Sequence, residues 1–563
     1  MDALKLGRYR LAAVLAVSML AIGIAGCEGD DGDNGAAGPA GADGAEGPAG
    51  LACWDLNENG IADLPDEDLN GDGVVDVLDC NALANLPPGG GGAVEQFHKA
   101  YFTENTYEGT DDCLACHGPI GEDIIATGHW NWEGQALGIE GLEAGTHGKT
   151  DIINNFCVAV PTNEGRCTQC HIGIGWNGPD FDFADPSNID CLVCHDQTAT
   201  YVKAPTTAGA PPAELDLQPI AQSVAERGGR PSRENCIDCH AKAGGADNVK
   251  HGDLPLSIAN TTAEYDVHMG TDGKNFDCVT CHDVARDAEG NVLSHGIGGM
   301  AFHSNLEGNM KTCTDCHGSA AVIHAGKSVE GIVNSHTTLA CQVCHIPTFA
   351  DETSTKVYWD WSTAGDPDRV PQPDPNDPSR FDYDWKKGDF LWAFNVRPVL
   401  LYQERTAEDF GKWEKMVINA TEGFTELPAV LGRPAGDYTT PGAMIYPFKK
   451  MDGKQPADAI NDIVLVPHLY PGSDGPNAYW KTFEWGPAIQ DGADQTGQPY
   501  SGEYTFVDTV NYLSVNHEVA PKEEAYGFGG VEAGACTDCH GGGQIDFTLL
   551  GYTDDPFAGG TRP

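Results

Sequence analysis

The chain has 563 residues, with 32 Lys and Arg against 84 Asp and Glu, and a formal charge of −52. That balance excludes a nucleic-acid partner, because a phosphate backbone is held by clustered Lys and Arg. It suits a dissolved, exported surface and obliges any anionic ligand to find a locally basic pocket. The 71 Gly and 35 Pro point to a loop-rich chain.

At the amino terminus Lys5, Arg8 and Arg10 precede an apolar run from Leu11 to Ile24, the pattern of a secretory signal. The run is shorter than the ~20 residues a membrane span needs. It ends Ile24-Ala25-Gly26-Cys27, which resembles a bacterial lipobox, so residues 1–26 read as a lipoprotein signal peptide and Cys27 as a lipid anchor to the membrane. The expected address is the bacterial cell envelope, at the outer membrane or cell surface, with the periplasm as the alternative. Over 27–52 glycine recurs at every third position from Gly29 to Gly50, with Pro39 and Pro48 between. This is either a collagen-like Gly-X-Y tract that joins copies of the chain or a flexible tether.

Residues 53–80 fit the calcium-loop template twice in tandem. The first loop offers Asp55, Asn57, Asn59, Asp63 and Asp66, with Gly60 at the turn and Ile61 giving its carbonyl. The second offers Asp68, Asn70, Asp72, Asp76 and Asp79, with Gly73 and Val74 in the same places. Asp rather than Glu closes each loop, which favours a structural calcium site. Cys53 and Cys80 bracket the module as an expected disulfide. Residues 81–95, rich in Pro and Gly, read as a linker.

The rest, 96–563, carries eight copies of Cys-x-x-Cys-His. They are Cys113/Cys116/His117, Cys167/Cys170/His171, Cys191/Cys194/His195, Cys236/Cys239/His240, Cys278/Cys281/His282, Cys313/Cys316/His317, Cys341/Cys344/His345 and Cys536/Cys539/His540. The chemistry needs this spacing. Two thiols add across the vinyl groups of one haem, and the adjacent imidazole turns onto the iron. Eight covalently bound haems c would replace side-chain core. The expected fold is therefore mainly α with extensive coil, organised around a haem stack, with little or no β-sheet. Short gaps between motifs (Cys167 to Cys191, Cys313 to Cys341) favour haems close enough for electron hopping. The motif-free stretch from Ile346 to Ala535 is rich in aromatics and weakly periodic. It reads as a cover for the haems, with an independent substrate domain as the alternative.

Eleven histidines lie outside the motifs: His98, His129, His147, His251, His268, His295, His303, His324, His336, His468 and His517. They suffice to give every iron a second imidazole, which leaves no face for substrate and describes a plain electron carrier. Three features point to catalysis instead. Cys157 is left over once motifs, lipid and disulfide are assigned. Asp247 and Lys250 lie three apart, on one face if that segment is helical. Lys242 and Lys250 make a local basic patch, and a buried lysine can be neutral and donate to iron. On residues alone His251 would be the better ligand.

Several stretches resemble the octahaem tetrathionate reductase family of c-type cytochromes: INNFC (153–157), RCTQCHIGIGW (166–176), FDFADPSNIDCLVCHD (181–196), SRENCIDCH (232–240), DNVKHGDL (247–254), DVHMGTDGKNFDCVTCH (266–282), YWDWSTAG (358–365), KKGDF (386–390) and VAPKE (519–523). The resemblance implies seven bis-His haems and one, the second, with Lys250 as its distal ligand opposite His171. Asp247 and Cys157 would line that pocket. The implied reaction is two-electron cleavage of tetrathionate, a small anionic substrate, into two thiosulfates, with nitrite and hydroxylamine as further substrates. Electrons would come from a redox partner protein or a quinone-linked donor. A conduit without its own substrate is the alternative.

Overall fold

The computed structural model describes residues 92–286, 292–299, 309–405, 411–419, 423–472, 475–527, 536–541 and 545–562. The signal peptide, lipidated Cys27, the Gly-X-Y tract, the calcium loops and the Cys53–Cys80 pair lie outside the described residues. A helix, Gly92–Glu104, begins inside the span read as linker.

Up to His345 the chain is mostly short helices and turns. Positions i, i+3 and i+4 share one side of a helical turn, so Cys-x-x-Cys-His presents both thiols and the imidazole together. Two motifs are each a single helical turn, Cys313–His317 and Cys341–His345. A third closes the helix Arg233–His240. Ser232 caps that helix by a reciprocal pair: its N–H donates to Asn235 Oδ1 at 2.7 Å while its hydroxyl accepts from the Asn235 N–H. Two small sheets join this region. In one, β1 (Glu133–Gln135) pairs with β2 (Thr146–Gly148); in the other, β3 (His282–Arg286) pairs with β4 (Val292–Ile297) and β5 (Asn309–Met310).

The second half corrects the expected fold class. Little or no sheet was anticipated, yet an eight-stranded sheet fills this half. Its strands are β6 (Thr355–Asp360), β7 (Tyr383–Asp384), β8 (Gly388–Ala393), β9 (Val399–Gln403), β10 (Trp413–Lys415), β11 (Ala429–Pro434), β12 (Met444–Asp458) and β13 (Tyr504–Ser514). Their order is β10-β11-β13-β12-β6-β8-β7, with β9 also paired to β12. Several of the aromatics that read as a haem cover, among them Tyr358, Trp359, Tyr383, Phe390 and Trp392, are strand residues, as aromatic side chains favour. They lack alternation because the sheet is covered on both faces: β12 is buried along nearly its whole length.

β12 is the ledge on which the loop-rich half rests. Asn155 Nδ2 donates to Met451 O at 2.6 Å, and Gln455 Nε2 donates to Asn154 O at 2.8 Å. The fully buried Lys449 gives its three ammonium hydrogens to Val249 O (2.5 Å), Lys250 O (3.3 Å) and Thr355 Oγ1 (2.7 Å). Ile153, Val158, Val249, Trp359, Trp361 and Met451 share one buried core, so the Cys157 turn, the Lys250 loop and the sheet pack as a single body. No helix among the described residues is long and apolar enough to cross a membrane.

Asn163, just ahead of the second motif, is buried and clamps it to the chain beyond β12. Its Oδ1 accepts from Leu469 N (2.7 Å) and Tyr470 N (3.0 Å), and its Nδ2 donates to Pro467 O (3.3 Å). Asn163→Leu strands two buried amides, and the expected loss is about 2–4 kcal/mol of stability, read from the denaturant midpoint.

Candidate functional site

A branching cavity of about 2900 Å3 runs through the loop-rich half, with residues of seven motifs in its wall. Protein interiors do not tolerate such voids, and a single small-molecule site occupies only ~300–1,000 Å3. The space suits several large flat groups side by side.

The imidazoles define where those groups sit. Six motif histidines face a second ring: His117 with His98 (centroids 5.9 Å apart), His240 with His129 (6.2 Å), His317 with His268 (6.0 Å), His282 with His517 (6.2 Å), His345 with His324 (6.2 Å) and His540 with His336 (6.3 Å). Two imidazoles bound at ~2 Å to opposite faces of one metal ion have centroids roughly 6 Å apart. His195 has His295 as the charge that acts on it most, after desolvation. Several of these rings engage Nδ1: His282 with Gly298 O (2.8 Å), His324 with Ala320 O (2.7 Å), His336 with Ile332 O (2.9 Å), His295 with Asp123 Oδ2 (2.9 Å) and His540 with Asp555 Oδ1 (2.7 Å). An engaged Nδ1 leaves Nε2 for a metal. The residues present therefore fit covalently attached haem.

The motifs form one continuous series. Cys113 and Cys191, Cys170 and Cys239, Cys236 and Cys278, and Cys313 and Cys341 lie close enough that each thiol of a pair is the strongest influence on the other. Cys194 acts electrostatically on Cys236, Cys316 on Cys281 and Cys344 on Cys539. The second motif therefore joins the series at the fourth, not at its sequence neighbour the third.

That second motif is the exception in ligation as well. His171 is fully buried outside the cavity wall, among Trp130, Trp132, Trp176, Phe181 and Phe183. Its Nε2 lies 2.5 Å from Trp130 O, and its Nδ1 accepts from Gly173 N at 3.1 Å. Both nitrogens are spent, and burial pushes its pKa down to about 3, so the ring stays neutral. The motif imidazole expected on this iron points elsewhere.

Lys250 and Cys157 both line the cavity, near enough for the thiol to act on the amine. Burial lowers the Lys250 pKa to about 7, helped by Lys149 and Lys415 and opposed by Cys157. The free amine is therefore accessible near neutral pH. Lys149 carries the same signature of burial beside Cys170, Cys239 and Cys167, which ties this group of lysines to the second motif. Cys157 sits in a turn made by Asn154, whose Oδ1 accepts from Phe156 N (3.1 Å) and Cys157 N (2.7 Å). Burial holds its thiol above the ordinary value. Asp247 is not brought into the wall. Its carboxylate takes Leu256 N (2.9 Å) and lies 3.6 Å from Arg380. Its segment is a run of turns with Asn248 at φ 59, so Asp247 and Lys250 do not share a helix face.

The remaining histidines divide. His147 pairs with Asp151 (2.5 Å); His468 spends both nitrogens on Asp491 (2.5 Å) and Tyr470 O (2.7 Å). His251 lines the cavity beside Lys250 and His240, and burial holds it neutral. His303 is outside the described residues. Sequence reasoning missed Lys149, Lys387, Lys415 and Arg166, all in the cavity wall. Their one signal was the scarcity of Lys and Arg in so acidic a chain.

Comparison with known proteins agrees with this geometry. The family model described as "Cytochrome c bacterial" matches residues 356–543, from the sheet through the last motif. A solved structure, octahaem cytochrome c from Shewanella oneidensis, is 37% identical, with a TM-score of 0.66 over 82% of this chain and 98% of that one. An uncharacterised protein of Archaeoglobus fulgidus is 24% identical over 31% of this chain and 73% of its own length.

The pairing makes a spectroscopic prediction. His98→Ala, His324→Ala or His336→Ala each converts one haem equivalent from low to high spin. His147→Ala, His251→Ala and His468→Ala leave every spin state unchanged in low-temperature EPR.

Proposed function

The chain belongs to the octahaem c-type cytochromes, and from that premise we propose that it is an exported reductase whose second haem is the catalytic one. In this reading the chain carries eight haems, seven held by two imidazoles and one held by the Lys250 amine. The observation that carries it is the disposition of His171. Both its ring nitrogens are engaged away from the cavity while Lys250, its pKa lowered to about 7, stands inside the cavity beside Cys157. The neutral Lys250 amine would hold the haem iron and leave the cavity beside Cys157 for substrate.

The substrate best matched is a small oxyanion, with tetrathionate first and nitrite or hydroxylamine next. The haem supplies electrons: one tetrathionate dianion and two electrons give two thiosulfate dianions. The chain's own residues attract the anion, keep bulk water from the scissile bond and place the Cys157 thiol next to sulfur. Lys449 holds the carbonyls of Val249 and Lys250 and so aims the amine. Asp247, held by Arg380, acts on the loop that carries Lys250 rather than on substrate. Residues 1–91 would add lipid attachment through Cys27, calcium-bound loops and a stalk that sets the enzyme at the cell envelope.

A second reading is favoured by one observation, the unbroken series of attachment motifs. It is a conduit that passes electrons without turnover.

Steady-state assays with a reduced dye as donor separate the two. The expected result is turnover of tetrathionate, nitrite or hydroxylamine, lowered at least roughly 100-fold in Lys250→Ala, the scale of losing one organising group. The bis-imidazole signals should be intact in that variant. Equal rates in the two proteins would remove the reductase reading.

A further inference from the structure

The sheet reaches the catalytic side of the cavity at one turn. Between β7 and β8, Lys386 and Lys387 precede Gly388, whose φ is +90; a Cβ there would lie 1.9 Å from Asp360 O, so only glycine closes the turn. Two indoles fasten it: Trp480 Nε1 donates to Lys386 O at 2.9 Å, and Trp359 Nε1 donates to Lys387 O at 2.8 Å. The Lys387 side chain lines the cavity together with Trp359, Trp361, Arg166 and Cys157. A third indole, Trp361, stacks on Trp359 with centroids 4.8 Å apart and is 1% exposed, and its Nε1–H has no acceptor among the described residues.

The groups that act most on the Cys157 thiol, after burial itself, are Lys387, Lys356 and Arg166; burial pushes the Lys356 amine well below its ordinary value, so Lys387 and Arg166 are the cations that face the thiol. Lys356 stands behind the wall, its amine 3.8 Å from the Trp359 ring centroid and 3.4 Å from that of Phe390. The nearby carboxylate of Asp384 is 3.6 Å from Lys387 and leaves ammonium hydrogens free. In a chain with 84 acidic and 32 basic residues, this concentration around one thiol calls for an anionic occupant. A buried unpaired N–H costs free energy until an acceptor reaches it.

We propose that Lys387, Arg166 and the Trp361 N–H form a subsite for the sulfonate-type oxygens of a dianionic substrate, with Cys157 at its inner edge, and that this subsite sets the preference for anions over neutral molecules. The inference rests on the reductase reading above and adds the residues that select the substrate's charge. Guanidinium, ammonium and indole N–H each donate to oxygen, and charge-assisted hydrogen bonds are the strong ones. The β7–β8 turn thereby gives the sheet a role beyond scaffolding.

Two measurements on the intact holoprotein test it. The first compares kcat/KM for tetrathionate with that for hydroxylamine, uncharged at neutral pH, in wild type, Lys387→Met, Lys387→Arg and Trp361→Phe. In Lys387→Met and Trp361→Phe the tetrathionate value should fall roughly 10- to 100-fold more than the hydroxylamine value, mainly through KM. Lys387→Arg should recover most of the loss. The second titrates thiosulfate into oxidised protein by calorimetry, where Lys387→Met should weaken binding by a similar factor. Parallel losses for both substrates, or unchanged thiosulfate affinity, overturn the subsite. A wild type that turns over neither substrate overturns the reductase reading, and the calorimetric arm still decides the subsite.

Discussion

A haem iron that only carries electrons takes imidazoles on two opposite faces, and that requirement organises the loop-rich half. An attachment motif fixes one donor locally, and the other arrives from a distant part of the chain. His517 beyond β13 faces His282, and His336 faces His540. The long-range pairs are crosslinks that close long loops, and they supplement the hydrophobic core in the Gly- and Pro-rich half of the chain. The same rule makes the exception informative. Where the motif imidazoles of His282 and His540 tie up Nδ1 and keep Nε2 for metal, His171 surrenders Nε2 to a backbone carbonyl and Nδ1 to a backbone amide. Five aromatic rings hold it there. The sequence of the motif is ordinary; its surroundings are not.

The sheet contributes rigidity where the exception occurs. Its longest strand, β12, holds the Cys157 turn through Met451 and Gln455, and the Lys250 loop through Lys449. Thr355 on β6 accepts from Lys449 while its hydroxyl donates to Asn248 O at 2.5 Å, binding the same loop from the next strand. The site is therefore built by two halves of different character: turns that carry the reactive groups and strands that fix their positions. In an acidic protein the lysines gathered on this one wall carry an electrostatic cost, because burial lowers the pKa values of Lys149, Lys250 and Lys415.

The attachment motifs were legible because their spacing is a chemical necessity, and the count of spare histidines correctly foretold that imidazole pairs would be available. Which histidine serves which iron was not legible, because the partners meet only through the tertiary fold. The sheet was missed for two reasons. A strand buried on both faces shows no alternation, and β12 (MIYPFKKMDGKQPAD) carries Pro, Gly, Lys and Asp that disfavour a strand in isolation. Lys449 and Gln455 are tolerated there because tertiary partners take the three Lys449 hydrogens and both ends of the Gln455 amide. Asp247 and Lys250 were expected on one helix face; the left-handed Asn248 between them turns the chain instead. On residues alone His251 would have been chosen over Lys250, and only the family resemblance reversed that order.

The claim on which the account turns is that a lysine nitrogen binds the second haem's iron. Pulsed EPR on protein labelled with 15N only at lysine side chains addresses it directly. The account predicts a 15N hyperfine coupling of directly bound strength on one ferric haem, lost in Lys250→Ala and kept in His171→Ala. No lysine 15N coupling of directly bound strength on any haem, or one that survives in Lys250→Ala, would contradict it.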